Sequence, residues 1–161
     1  MGNTFTAAGS GAGDLSMTNG GTDAFYDVLT LAACAIAGTP WELNLAVDLA
    51  DGQRHSRGFA GHDLSEWPWT GGWRREKAFL LRVIDLAEAR HGWDRLDYEP
   101  ARAPSHLRDL RAMVEGLTPL PMERPPHRRD WTSPPPPEHL ERCPEHDVFE
   151  GQFGCRLCSD W

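Results

Sequence analysis

A chain of 161 residues with a formal net charge of -8 and a pI near 5.3 has room for one ordinary domain and a small appendage. The acid excess supplies no long-range attraction to nucleic acid or anionic lipid. No segment is long and apolar enough to span a bilayer, so no membrane role is expected.

Leu31-Ala32-Ala33-Cys34 has the form of a lipoprotein cleavage box. A signal peptide needs a positive first region, yet no Lys or Arg precedes Arg54, and Asp14, Asp23 and Asp27 come before the cysteine. Cys34 therefore reads as a buried thiol in an Ala-rich helix, and the expected compartment is the cytoplasm. There, clustered cysteines bind metal more readily than they form disulfides.

Residues 1–22 are mostly Gly, Ser, Thr, Asn and Ala. So little apolar surface predicts a disordered tail. Thr22 and Asp23 can cap a helix over 24–37, with Phe25, Val28, Leu29, Ala32 and Ile36 near one face. Gly38-Thr39-Pro40 reads as its end. In 41–49, Trp41, Leu43, Leu45, Val47 and Leu49 alternate with Glu42, Asn44, Ala46 and Asp48. A period of two predicts a half-buried strand, and Asp51-Gly52 predicts a hairpin to a second strand within 53–60.

A loop over 61–72 carries Trp67-Pro68-Trp69, and Trp73 leads into the longest helix, 74–91. A third helix is expected over 106–117 behind Ser105. The fold class read from this pattern is α+β, in the order α-β-β-α-α over 23–117. Eleven of the 13 prolines lie at or after Pro100. Residues 118–142 therefore read as a proline-rich, mostly extended spacer, followed by a metal module over 143–161.

The chemistry of the chain is concentrated in that module. Cys143 and His146 are followed, after eight intervening residues, by Cys155 and Cys158. Two-residue gaps let each pair grip one ion from a tight knuckle turn, and thiolate with imidazole is a zinc donor set. A module this small has almost no core, so the metal should supply most of its folding free energy. Iron fits less well, since its usual thiolate sites are all-cysteine. The pattern resembles the short zinc-ribbon or zinc-knuckle tails, CxxH…CxxC, of small accessory proteins from GC-rich bacteria and their phages. The resemblance covers 143–158 and implies Cys143, His146, Cys155 and Cys158 as ligands to a structural zinc.

Four protein ligands leave no open position for substrate, which argues against catalysis. His139 is a conceivable substitute ligand, although a solvated histidine is the simpler reading. His139-Leu140-Glu141 with Cys155-x-x-Cys158 imitates a deaminase outline, but Gly154 stands where proline is needed, and Cys143 and His146 are left over. Asp48 with His55 lacks a nucleophile and reads as a surface ion pair, and His62-Asp63 in the tryptophan loop lacks a recognisable partner.

The expected function is a non-enzymatic accessory or regulatory protein that works through contacts with an unidentified protein partner. The candidate contact residues are Trp67, Trp69, Trp73, Arg74, Arg75, Phe149, Phe153 and Trp161. The alternative is nucleic-acid binding, with the Trp67/Trp69/Trp73 loop as a stacking platform and Arg74 and Arg75 as phosphate contacts.

Overall fold

In a computed structural model of the protein, the described residues are 2–52, 63–119 and 130–158. They form four helices and a two-stranded sheet, a mixed α+β arrangement. The order differs from the expected one. The strands come first: β1 (Gly2–Phe5) and β2 (Leu15–Thr18) pair antiparallel, with Phe5 opposite Leu15. Four helices follow, α1 (Asn19–Ile36), α2 (Pro40–Asp51), α3 (Trp73–Glu88) and α4 (Ala103–Gly116).

The expected disordered tail is thus a hairpin. Phe5, Leu15 and Met17 are its few large apolar side chains, and all three point inward. The Phe5 ring lies 5.8 Å from Phe25 and 6.3 Å from Tyr26. Gly9 and Gly11 take positive φ between the strands, where other residues would be strained. Thr18 ends the hairpin and starts α1, its hydroxyl accepting from the Gly21 N–H at 3.0 Å.

The expected strand over 41–49 is a correction of a different kind, because this stretch is α2. Thr39 accepts from the Glu42 N–H, and the Glu42 carboxylate accepts from the Thr39 N–H at 3.2 Å. This is a capping box, with Pro40 at the first helical position. Thr39-Pro40 therefore opens a helix as well as following one. The alternation misled because α2 is buried on almost every side: Trp41, Leu45, Ala46, Val47, Leu49 and Ala50 are all interior. The expected second strand, 53–60, lies outside the described residues.

α1 is the central element. It packs on α2, α3, α4 and both strands. Phe25, Tyr26, Val28, Leu29 and Leu31 to Cys34 are all interior, which places apolar residues on most of its circumference. α3 and α4 pack on each other, and Arg111 ties them at the surface to Asp85 and Glu88. No helix among the described residues is long and apolar enough to cross a membrane.

None of the four helices has a basic residue in its last turn. Three instead receive a cation from elsewhere in the chain. Lys77 on α3 donates to the Glu115 and Leu117 carbonyls at the end of α4, at 3.0 and 2.7 Å. Arg142 donates to the Cys34 carbonyl near the end of α1 at 2.7 Å. Arg156 does the same at the end of α2. Terminal carbonyls lack partners within their own helix and carry the negative end of its dipole, so a cationic donor placed there satisfies both demands.

The expected spacer is also largely packed where it is described. Trp131 is buried, with its ring 5.3 Å from Trp41 and nearly perpendicular to it. The Asn44 side-chain amide donates to the Ser133 carbonyl at 2.7 Å. Pro137–Leu140 form a 3-10 turn that contacts α2. Residues 120–129 lie outside the described residues.

Candidate metal centre

Two knuckle turns build the centre. In the first, the Cys143 N–H donates to the Val148 carbonyl at 2.9 Å and the Asp147 N–H to the Cys143 carbonyl at 2.8 Å. Asp147 takes positive φ to complete the turn. Arg142 and Phe149 then pair as a single antiparallel bridge. In the second knuckle, Gly154 has φ +85 and the Cys158 N–H donates back to the Cys155 carbonyl at 3.3 Å.

The two knuckles bring four donor atoms together, all within 4.8 Å of one another. His146 Nδ1 lies 3.6 Å from Cys143 Sγ, 3.6 Å from Cys155 Sγ and 3.3 Å from Cys158 Sγ. Cys143 Sγ and Cys158 Sγ are 3.5 Å apart. A tetrahedron with metal–sulfur bonds of about 2.3 Å and a metal–nitrogen bond of about 2.05 Å has edges of roughly 3.6–3.8 Å. The observed separations approach that frame and are far from the ~2.05 Å of a disulfide bond. All four cysteines are free thiols. Cys143, His146, Cys155 and Cys158 are therefore positioned to bind a metal ion.

The thiols differ electrically. Burial pushes Cys143 up, but N–H groups of His146 and Glu145, with the His146 ring, outweigh it and hold the thiol at about 7. Cys158 is pushed up to about 12, by desolvation and then by contact with Cys143 and Cys155. Three thiolates in mutual contact repel one another. A divalent cation among them removes the conflict, which is the physical demand this donor set makes.

The centre is bound into the helical core, contrary to a module held apart on a tether. Arg156, between Cys155 and Cys158 of the second knuckle, is the main anchor. Its Nε donates to Asp27 Oδ1 on α1 at 2.6 Å. Its Nη1 is shared among the Leu49, Ala50 and Gly52 carbonyls at 3.0, 3.1 and 2.9 Å. Tyr98 donates to the other Asp27 oxygen at 2.5 Å. Burial, then the charge of Asp27, raises the Tyr98 phenol above its ordinary range, so it stays a donor. Arg142 lies over the Phe149 ring, 4.6 Å from its centre. Arg95 donates to the His146 carbonyl at 3.0 Å.

Backbone contacts close the rest of the seam. The Phe149 N–H donates to Cys34 Sγ at 3.4 Å, and the Gln152 N–H to Asp51 Oδ1 at 3.0 Å. Burial pushes the Cys34 thiol up to about 12, so the fourth cysteine is an inert acceptor apart from the cluster. Gly151 has φ +61, and a Cβ there would lie 2.4 Å from Asp51 Oδ1. Only glycine permits so close an approach.

The other expected site residues are placed less favourably for partner contact. Trp67 and Trp69 are 1% and 2% exposed, so neither offers a face to a partner. Trp69 stacks on Trp41 at 5.3 Å and donates to the Leu64 carbonyl at 2.7 Å. Trp73 is half-buried beneath the Arg74 guanidinium, 4.4 Å from its ring centre. Arg75 is exposed and lines a cleft of about 230 Å³ with Glu42, Glu76 and Trp131. Both carboxylates there already accept from nearby groups: Glu42 from the Gly38 and Thr39 N–H, Glu76 from Thr70.

Phe149 is buried within the chain, Phe153 is partly exposed, and Trp161 lies outside the described residues. His139 sits on the 3-10 turn and is not one of the four clustered donors. Asp48 is buried on α2, whereas His55 and His62 lie outside the described residues. Asp63 caps the short turn Leu64–Glu66 by accepting from the Ser65 N–H at 2.9 Å. The residues that sequence reasoning missed are the anchors Asp27, Arg142, Arg156 and Trp131.

Comparison with protein-family models, with curated proteins and with solved structures finds no match. The described residues define a four-helix α+β arrangement with a C-terminal Cys/His cluster positioned to bind a metal ion.

Proposed function

We propose that this is a zinc-binding protein whose metal is structural, and that the chain works as a non-enzymatic accessory through contacts with another protein. The observation that carries the zinc reading is the convergence of three sulfur atoms and one imidazole nitrogen within 4.8 Å. Thiolate and imidazole select zinc over the oxygen-loving cations, and four ligands close its tetrahedron. A closed site polarises no substrate. It fixes two knuckles, and here those knuckles carry the arginines that reach α1 and α2.

The partner reading is supported by what surrounds the centre. Glu138, Glu141, Glu145 and Asp147 are exposed around it. Such an acidic rim favours a basic protein surface over phosphate. The nucleic-acid alternative loses its platform, because Trp67 and Trp69 stack inside the core.

Cobalt substitution tests the metal assignment. Titrating Co²⁺ into reduced, metal-free protein should give thiolate-to-cobalt charge-transfer absorption and intense tetrahedral d–d bands, saturating at one ion per chain and bleached by added zinc. Weak octahedral bands, or absorption retained after Cys143, Cys155 and Cys158 are all replaced by serine, would overturn the assignment.

A further inference from the structure

The four ligands are unequally protected. Cys143 and Cys155 are 4% and 7% exposed. Cys158 is exposed, and its sulfur touches both Cys143 Sγ at 3.5 Å and His146 Nδ1 at 3.3 Å. An oxidant arriving from solvent meets Cys158 first and finds Cys143 directly behind it. The remaining thiol, Cys34, is fully buried and does not belong to the cluster.

We propose that the centre is a redox-exchangeable staple: a peroxide converts Cys143 and Cys158 to a disulfide, the metal leaves, and the new bond keeps the C-terminal lobe docked. The inference rests on the zinc reading above. In the first step the Cys158 sulfur attacks one oxygen of hydrogen peroxide. An S–O bond forms, the O–O bond breaks, and the departing hydroxide takes a proton to become water. In the second step the Cys143 sulfur attacks the Cys158 sulfenic acid. The S–S bond forms, the S–O bond breaks, and the hydroxyl leaves as a second water. Two thiolates have lost two electrons, peroxide has gained them, and two protons have come from solvent. The metal keeps its oxidation state. Only His146 and Cys155 remain to hold it, too few for a stable structural site.

The fold tolerates this exchange because the two sulfurs need close only from 3.5 Å to about 2.05 Å. The bond also links the same two knuckles that the metal links. The docking contacts do not pass through the metal. Arg142 beside Cys143 still reaches the Cys34 carbonyl, and Arg156 near Cys158 still reaches Asp27 and the end of α2. A Cys155–Cys158 bond, by contrast, would lie within one knuckle and leave Cys143 untethered.

The test uses the full-length, zinc-loaded protein treated with hydrogen peroxide beside a colorimetric zinc chelator. Zinc content is measured before peroxide is added, so a protein that never held zinc refutes the underlying reading and is recognised as such. The expected result is one zinc released per disulfide formed, a Cys143–Cys158 cross-linked peptide by mass spectrometry, and full re-loading after dithiothreitol and zinc. The oxidised, metal-free form should also melt at a higher temperature than reduced protein stripped by chelator. Retention of zinc, a disulfide mapped to Cys155–Cys158 or to Cys34, or an oxidised form that melts no higher than the stripped one would overturn the proposal.

Discussion

Arg156→Met is expected to destabilise the protein by about 3–5 kcal/mol, the usual effect of removing one partner from a buried ion pair. The side chain of Arg156 is 5% exposed and that of Asp27 13%. With the guanidinium gone, the Asp27 carboxylate loses its paired cation and keeps the Tyr98 hydrogen bond, with Asp23 nearby. The Leu49, Ala50 and Gly52 carbonyls lose their shared donor at the same time. Denaturant unfolding of protein kept saturated with metal measures the effect. Two further variants identify its cause. Arg156→Lys retains the charge but cannot fork between a carboxylate and three carbonyls, so it should recover only part of the loss. Adding Asp27→Asn to Arg156→Met should recover the part of the loss that comes from the uncompensated carboxylate. A double variant no better than Arg156→Met alone would assign the loss to the unpaired carbonyls instead.

Metal removal is expected to have the second large effect. An ion present at a thousand-fold above its Kd stabilises the folded state by about 4 kcal/mol. For a chain of this size that corresponds to a fall in Tm on the order of 10 °C when the ion is stripped. The loss should reach beyond the lobe. Cys143, Val148, Phe149 and Cys155 belong to the same apolar cluster as α1 and α2, and Arg142 and Arg156 satisfy the ends of those helices. Hydrogen exchange after chelation under reducing conditions should therefore quicken over 142–158, at the end of α1 and at the end of α2. α3 and α4, whose mutual packing does not involve the lobe, should change less.

The Cys/His cluster was legible in the sequence because metal chemistry is local: residue type and two-residue spacing carry most of the information. Helix α3 was legible for a similar reason, since one wet stripe marks an amphipathic helix. α2 was not. Its alternating apolar residues imitate a strand, and the true signal was the capping pattern Thr39-Pro40-x-Glu42, which reads as a helix stop when only the proline is weighed. The hairpin at the start was hidden by composition. Its large apolar side chains are Phe5, Leu15 and Met17, and the value of Phe5 depends on Phe25 and Tyr26 lying opposite. Arg142 and Arg156 were invisible for a third reason. In a chain whose cations are nearly all arginine, nothing local distinguishes a solvated one from one that caps a distant helix. Their roles exist only once α1 and α2 end beside the knuckles.

The metal content of the purified protein tests the central claim most directly. Elemental analysis of protein made and kept under reducing conditions should find one zinc per chain. The ion should be lost when Cys143 and Cys158 are replaced by serine, and retained when the isolated thiol Cys34 is replaced by alanine. Protein that is folded, reduced and free of zinc would contradict the account.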